Sequence, residues 1–447
     1  MQAPGRRRVP KAVSRRVANS RAMTVIGLDD TDSRERGMCT TYLAARLAER
    51  VVAEGGTIDR RLLVRLNPAV EYKTRGNAAL ALHTDLDPDR ALELAAAELE
   101  PLAETDDPRT SPGVVVAGDA PEAVPDAVAD FTRRAIRELL DPAEALAVLD
   151  AAGYRHRGWE GGRGRIGALA AVGAWAALEE WTYERISYRA FERCGTPRDV
   201  DEASVFEEAE RFYPDAWDTV DRVERQAVCV PNAPGPILYG IRGDEADAVS
   251  DLADRIESEP TERSATFLTN QGTDAHLADG RIGDLRDGRA YRVDGTVASD
   301  PETRRGGHVF FEFEGPAGSD ARVDCVAFEP TKRFRDRVRA LRVGDDLTVC
   351  GEVTDGTLKL EKFAVRALRR TAETNPTCPS CGRSMASAGR DQGYRCRDCG
   401  TSAAEPATVP LDRDLERGWY EVPPCARRHI AKPLVRGGFD APVHPER

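Results

Sequence analysis

From residue 24 onward the chain alternates short apolar runs with longer segments in which apolar residues return every third or fourth position, the pattern of strands interleaved with amphipathic helices. Thr24-Val25-Ile26-Gly27-Leu28 predicts a short buried strand. Cys39, Leu43, Leu47 and Val51 then recur every four residues with Ala44 and Ala48 between them, which predicts a helix from about Thr40. Residues 61–66 and 78–82 predict two more strands, 85–104 an Ala-, Leu- and Glu-rich helix, 111–116 a loop opening into a strand, 124–151 two helices broken near Asp141-Pro142, and 168–180 an Ala-rich helix. We assign residues 23–184 to one α/β domain on this alternation. Residues 185–285 predict a second α/β unit in which a helix over 245–257 separates two strands, the order of a ferredoxin-like α+β domain. Over 286–370 five short strands follow, around residues 291–295, 308–313, 323–328, 346–353 and 358–362, with a turn at Gly344-Asp345. They suggest an OB-fold barrel, whose open face stacks single-stranded bases, although other small β domains share the pattern and Phe310, Phe311 and Phe313 can partly be core. The fold class expected is multidomain, α/β plus β.

Composition narrows the setting. No apolar run approaches the roughly 18 residues that span a bilayer, and no signal-peptide core is present, so a soluble, cytoplasmic protein without a membrane partner is expected. The formal net charge of -12 argues against a generic nucleic-acid binder. Only six lysines stand among the 64 basic residues, and the acids are rich in Asp. Scarce lysine on a carboxylate surface suits a halophilic protein, in which local arginine clusters, stacking and shape must grip any RNA, while a GC-rich genome would also trade Lys for Arg. Residues 1–22 carry seven basic residues and no acid, and read as a disordered tail or a misplaced start ahead of Met23.

Three stretches carry candidate chemistry. Asp29, Asp30 and Asp32 crowd three carboxylates into four positions, between the first strand and a helix start bearing Thr40 and Thr41. Such acids either lie in water on a turn with a threonine capping the helix, or are held together by a cation; strand, acidic loop and helix start can bind a magnesium nucleotide. Pro68 rules out a mid-ladder position, so Arg65-Leu66-Asn67-Pro68 and Lys73-Thr74-Arg75-Gly76-Asn77 form a loop, in which Lys73 and Arg75 are suited to phosphate oxygens or simply to water. Gly161-Gly162-Arg163-Gly164-Arg165-Ile166-Gly167 precedes a helix and offers a second phosphate or ribose cradle, matching neither the Walker pattern nor the dinucleotide fingerprint.

The most specific signal is Cys378-x2-Cys381-x14-Cys396-x2-Cys399, the spacing of a closed, structural four-thiolate zinc ribbon. The other six cysteines are scattered and read as small buried hydrophobes. Residues 371–447 are taken as the ribbon followed by a tail, in which Arg427, Arg428, His429 and Lys432 form a small basic patch, or a helix end with cations near its dipole.

Several of these blocks together resemble one family. Gly27-Leu28-Asp29-Asp30-Thr31-Asp32-Ser33 with Gly37-Met38-Cys39-Thr40-Thr41-Tyr42, then Arg65-Leu66-Asn67-Pro68, Lys73-Thr74-Arg75-Gly76-Asn77, Gly162-Arg163-Gly164-Arg165-Ile166-Gly167 and Thr269-Asn270-Gln271-Gly272-Thr273-Asp274 are similar to motifs of the archaeal synthetases that attach agmatine to the wobble cytidine of the AUA-reading isoleucine tRNA. The likeness spans nearly everything from Thr24 onward and departs from the family's spacing at Ser33-Arg34-Glu35-Arg36. It implies an ATP-binding, cytidine-kinase-like head over 23–184 and a tRNA-modifying carbon–nitrogen ligase. The γ-phosphate of ATP would go to the 2-carbonyl oxygen of the cytosine and agmatine would displace it, leaving AMP and two phosphates overall and changing codon reading from AUG to AUA. The resemblance implies Asp29, Asp30, Asp32, Thr40, Lys73 and Arg75 as catalytic, with Mg²⁺ on Asp29 and Asp30. Asn77, Gly162, Arg163, Gly164 and Gly167 would hold ATP. Thr269, Asn270, Gln271 and Asp274 would line the agmatine pocket, His276 carrying little weight, and the tail would touch the CAU-anticodon tRNA. No obligate protein partner is implied.

Two rivals remain at this level: a non-catalytic nucleic-acid-binding protein built on the barrel and ribbon, and an ATP-dependent RNA kinase or ligase that uses another amine. A scaffold would not need so many acidic and phosphate-type loops before residue 170.

Overall fold

The computed structural model describes residues 23–71, 73, 76–315, 320–390 and 392–447. The N-terminal extension over 1–22 and the catalytic assignment of Arg75 lie outside the described residues.

The first half of the chain builds one twisted nine-stranded sheet. Its strands are β1 (Thr24–Asp29), β2 (Ile58–Arg65), β3 (Ala78–Thr84), β4 (Gly113–Ala117), β5 (Arg155–Gly158), β6 (Thr182–Arg189), β7 (Ala216–Trp217), β10 (Ile237–Gly243) and β11 (Thr261–Thr269), with β8 (Val220–Asp221) and β9 (Gln226–Ala227) forming a separate hairpin. The sheet runs β5-β4-β1-β3-β2-β11-β6-β10-β7. Helices α1 (Thr40–Ala53) and α2 (Pro88–Leu99) cover one face, where Ile26 and Leu28 point. Helices α3 (Asp126–Arg137), α4 (Pro142–Ala152) and α5 (Arg165–Ala177) cover the other, where Val25 packs. With both faces buried, β1 reads as an unbroken apolar run.

Helix limits follow local chemistry. Asp141 closes a capping box with Glu144 and sets the break between α3 and α4. Helix α2 is shorter than its periodicity suggested, starting on Pro88 behind the Asp87 cap and stopping at Leu99, just before Glu100-Pro101. Helix α5 starts three residues earlier than expected, at Arg165, because the glycine turn is already wound at Gly164.

Strands β6, β7, β10 and β11, with α6 (Glu202–Phe212) and α7 (Ala246–Ala253) between them, lie in the order β11-β6-β10-β7 with every neighbouring pair antiparallel. Fourth-first-third-second is the order of a ferredoxin-like unit. β6 begins at Thr182, so a division at residue 184 would cut a strand. The two α/β units share one sheet through the parallel pair β2–β11, whose short register is Leu62↔Leu268 and Leu63↔Thr269.

The second half is a barrel. Strands β13 (Arg289–Val297), β15 (Val309–Glu314), β16 (Arg322–Ala327), β18 (Thr357–Ala367) and β17 (Asp346–Thr354) pair in that order, and β17 closes on β13. Closure between the third and fifth strands is parallel, and α8 (Phe334–Arg339) lies between the third and fourth. Phe311, Phe313, Leu347, Val349, Leu358 and Phe363 fill the interior. Strand β12 (Leu277–Asp279) flanks β13, and β14 (Glu302–Thr303) flanks β15. The ribbon hangs from a stem of β19 (Thr371–Thr374) and β23 (Ala407–Pro410), with β20 (Ala386–Ser387), β21 (Tyr394–Arg395) and β22 (Ser402–Ala403) around its cysteines. The chain then returns to the barrel: β24 (Gly418–Glu421) adds to β18, and β25 (Val443–His444) adds to β24. The tail is therefore part of the barrel's packing. Among the described residues no helix is long and apolar enough to cross a membrane.

Candidate active site

The C-terminal end of β1 delivers the acidic loop to the start of α5. Gly27 and Gly113 let the α5 backbone lie directly on β1 and β4, since a Cβ at either would meet the carbonyl of Ala168 or the amide of Arg165 at 2.1 Å. Gly167 continues the approach and faces the Asp29 carboxylate. The loop is held from outside as well. Thr110 Oγ1 donates to the carbonyl of Asp32 at 2.8 Å, and Ser33 Oγ donates to Asp107 at 2.7 Å. Asp30 adopts φ +60°, a left-handed conformation that Asp tolerates better than most residues, which turns its side chain toward the glycine loop.

There Asp30 Oδ2 accepts from the Arg163 guanidinium at 2.8 Å and from the Ser111 amide at 3.2 Å. Ser111 locks the loop in turn: its hydroxyl donates to the Glu160 carbonyl at 2.6 Å and accepts from the Arg163 amide at 3.0 Å. Burial pushes Asp29 well above the ordinary carboxylate range, and the neighbouring Asp30 adds to the shift. Burial raises Asp30 as well, opposed by Arg163. Two acids held reluctantly ionised beside one another are a favourable place for a divalent cation, which would relieve both terms.

A cavity of about 990 Å³ opens over these residues. Asp29, Asp30, Asp32, Arg163, Gly164 and Gly167 form one wall, and Lys73 and Asn77 another. Leu139, Leu140 and Ile166 supply an apolar side, and the barrel closes the far end with Glu352, Lys359 and Arg428. The acidic cluster and the cationic loop therefore face one space although separated by some forty residues of chain. Burial holds the Lys73 ammonium below its ordinary value, and its Nζ donates to the Pro68 carbonyl. The Asn77 amide donates to the carbonyl of Asn67 at 3.0 Å and so fixes the turn on which Lys73 sits.

Other predicted residues are placed elsewhere. Thr40 is buried; its hydroxyl is bonded to Thr31 at 3.0 Å, and it pins the acidic loop to α1 without lining the cavity. Gly162 packs on Gly158 and supports the loop from behind. The block from Thr269 to Asp274 is a buried joint. Asn270 accepts from the Arg65 amide at 2.7 Å and donates to the Arg65 carbonyl at 3.0 Å, extending the β2–β11 pairing through its side chain. Thr269 accepts from the Gln271 amide, and the Gln271 side chain donates to Glu184. Asp274 accepts from Lys362 Nζ at 2.8 and 2.9 Å and from the Lys432 amide at 2.6 Å. None of these four lines the cavity, because their polar atoms are taken up by protein partners.

The tail patch likewise divides. Arg427 is buried between Asp218 and Glu421, so it is not a surface contact for RNA. Lys432 Nζ reaches Glu180 at 3.2 Å. His429 is exposed, and Arg428 reaches the cavity, where it meets Glu352 at 2.5 Å. Although burial pushes Glu352 up, Arg428 holds its carboxyl below the usual value. Glu352 and Lys359 were not foreseen, since nothing local distinguishes a barrel-strand Glu or Lys that faces a cleft from one that faces water.

The four ribbon thiols converge. Cys378–Cys399 and Cys381–Cys396 are 3.4 Å apart and Cys381–Cys399 3.7 Å, near the edge of a tetrahedron of roughly 3.8 Å expected around zinc with Zn–S of about 2.3 Å. The two knuckles are alike: Gly382 and Gly400, both left-handed, donate to the carbonyls of Cys378 and Cys396.

Comparison with known proteins decides the family. Models described as the TiaS TCKD domain, the TiaS FLD domain and the TiaS C-terminal zinc ribbon domain match residues 25–86, 162–276 and 375–415. A 2-agmatinylcytidine synthetase TiaS from Haloquadratum walsbyi is 61% identical over 95% of this chain and all of its own length. The chain belongs to the TiaS family. A TiaS from Methanosarcina mazei is 45% identical over 92% of this chain and 97% of its own. Among solved structures, a TiaS complex with isoleucine tRNA and ATP superimposes with TM-score 0.85 at 42% identity, covering 95% of this chain and 100% of that one. A TiaS complex with isoleucine tRNA, AMPCPP and agmatine does so with TM-score 0.83 at 39% identity and the same coverage.

Proposed function

We propose that the 990 Å³ cavity is where this chain, as an ATP-dependent tRNA-modifying ligase, conjugates agmatine to the wobble cytidine of the AUA-reading isoleucine tRNA. The observation that carries the reading is the meeting, in one space, of the Asp29–Asp30–Asp32 loop, the Lys73 loop, the Arg163 glycine turn and the barrel edge. The TiaS relatives and the complexes with isoleucine tRNA, nucleotide and agmatine support it. A non-catalytic nucleic-acid-binding protein would have no use for two half-buried acids facing Lys73 across a cavity.

A cytosine 2-carbonyl oxygen is a poor leaving group, and phosphorylation by the γ-phosphate makes it a good one; that transfer leaves ADP, and cleavage of its remaining anhydride by water accounts for AMP and the second phosphate. Lys73 and Arg163 stabilise charge on the transferring phosphoryl group, and the α5 N-terminus adds its dipole. Asp29 and Asp30 would hold Mg²⁺, which neutralises phosphate charge when bound. The primary amine of agmatine then attacks the same carbon and displaces phosphate, and its proton passes to the departing phosphate or to water. The apolar side at Leu139 and Leu140 excludes water from the activated base. Residues 23–184 would act as the ATP and cytidine head, 185–285 as the ferredoxin-like unit, 286–370 as the barrel that grips RNA, and 371–447 as ribbon and tail, with zinc structural.

The test is incubation with ATP, agmatine and a CAU-anticodon isoleucine tRNA transcript, followed by mass analysis of the nucleosides and measurement of AMP. A cytidine heavier by the agmatine adduct is expected. Tight RNA binding without turnover would favour the non-catalytic reading, and product with spermidine or lysine in place of agmatine would favour another amine.

A further inference from the structure

The barrel's outer face carries a row of side chains that leads out of the cavity. Strand pairing sets Glu352 opposite Lys359, Lys359 opposite Val326, and Val326 opposite Phe310. The alternate positions Phe311, Cys325, Leu358 and Val353 point into the barrel core, so these four lie on the outer side of the barrel, where Val326 itself is fully buried. Strands lie about 4.8 Å apart, and the row therefore spans roughly 14 Å, from Glu352 and Lys359 on the cavity wall to Phe310 outside it.

Its outer end is an aromatic and cationic cluster. His308 and Phe328, side by side across β15 and β16, meet edge to face with centroids 5.1 Å apart. The Arg304 guanidinium lies 4.2 Å over the Phe310 ring, and Lys359 Nζ is 5.8 Å from the centre of Phe328. His308, Phe310 and Phe328 are each half-buried, with part of each ring open to solvent. The His308 ring is also oriented, since Nδ1 accepts from the Glu329 amide at 2.9 Å, which places its proton on Nε2. Farther along the same strands the surface turns acidic at Glu312 and Glu314, both tied to Arg322 at 3.0 and 3.1 Å. Across the strands Glu302 lies opposite Phe310 and pairs with Arg304 at 3.3 Å, so acids border the cluster and Arg304 and Lys359 are the positive charges it offers a polyanion. A nucleobase and its phosphates need both an accessible ring and a cation, and this cluster offers them together.

We propose that this row is a single-stranded RNA track, on which Phe328 and Phe310 stack the nucleobase next to the cytidine held in the cavity while Lys359 and Arg304 take its phosphates. The inference rests on the functional reading above and adds a positioning site to it. Stacking there draws the wobble base out of the loop and keeps it extruded, so an RNA with a paired or occluded neighbour would be a poor substrate.

Two measurements separate the track from the reading. Isoleucine tRNA transcripts carrying 2-aminopurine on either side of the wobble cytidine report stacking by fluorescence quenching, without turnover. The wild-type protein should quench at one of the two positions, and Phe328→Ala or Phe310→Ala should abolish it, with Phe328→Trp restoring it. In steady-state assays the alanine variants should raise KM for the transcript about 5- to 100-fold and lower kcat much less. Quenching and KM unchanged in both alanine variants, with melting curves like the wild type, would overturn the track and leave the ligase reading intact. Wild-type quenching without any modified cytidine would overturn the ligase reading while the track stands.

Discussion

Gly167 and Asp29 share a gap too narrow for a methyl group, since a Cβ on Gly167 would lie 1.9 Å from Asp29 Oδ2. The first turn of α5 is thus in contact with the carboxylate proposed to hold the cation. Gly167→Ala must displace either the acid or the helix. We expect kcat for agmatine conjugation to fall by about 100-fold or more, equivalent to about 2.7 kcal/mol. The accompanying stability loss should be only about 1–3 kcal/mol, as for other overpacked sites. AMP release and thermal melts on the same preparation check this; full activity in the variant would remove Asp29 from the mechanism.

Arg163 works against burial at Asp30. Burial raises the Asp30 pKa and the guanidinium at 2.8 Å opposes that rise. Removing the cation in Arg163→Met raises the pKa further, so the carboxylate protonates at higher pH. The acid limb of the pH–activity profile should therefore move upward by about one unit. Arg163→Lys keeps the charge and should move it less. A profile unmoved in the methionine variant would separate Asp30 from the activity.

How much of this was legible in the sequence depended on the range of the interaction. The β1 strand, the α1 periodicity, the break at Asp141 and the four-cysteine spacing are local, and each corresponds to a feature of the fold. The five barrel strands were equally visible, because apolar positions alternate along them. The merging of two α/β units into one sheet was not, since it rests on a short parallel register and on Asn270, whose polar side chain looks like a ligand-binding group yet mimics backbone pairing. Arg427 misled for the same reason: its partner Asp218 lies far along the chain, and nothing near it in sequence signals burial.

His83 lies fully buried between β1 and β2 with neither ring nitrogen paired in the structure. Burial pushes its pKa down to about 3, with Arg60 contributing. The unfolded chain thus binds a proton that the folded chain refuses. Stability should fall as pH drops from about 6.5 toward 3, by up to about 1.4 kcal/mol per pH unit from this residue. His83→Leu removes the titration. The variant's advantage in urea unfolding should be small at pH 7 and widen at pH 5.5 and 4.5; a constant difference would refute the assignment.

The ribbon has almost no core of its own: Cys378, Met385 and Cys396 are buried, with Tyr394 and Ala403 packed against them. Metal must therefore supply most of its folding energy. Elemental analysis should find one zinc per chain, lost in Cys381→Ser. That variant should become sensitive to proteolysis within 375–415 while the sheet and barrel melt as before. Loss of the main melting transition would mean that the ribbon stabilises the whole chain.

Asp274 offers the sharpest separation between a ligand-binding role and a structural one. Its carboxylate is bonded to the buried Lys362 ammonium and to the Lys432 amide, joining the loop after β11 to barrel strand β18 and to the tail. If it received agmatine, Asp274→Asn would raise KM for agmatine and leave stability nearly unchanged. The buried pairing predicts the reverse. Removing one partner strands a charge, so Lys362→Met and Asp274→Asn should each cost about 3–5 kcal/mol. The double variant should lose less than the sum of the two, because the second change deletes the orphaned charge left by the first. Urea unfolding of the four proteins gives the coupling, and KM for agmatine in Asp274→Asn, measured where the variant is still folded, should stay within about 2-fold of the wild type, little more than 0.4 kcal/mol.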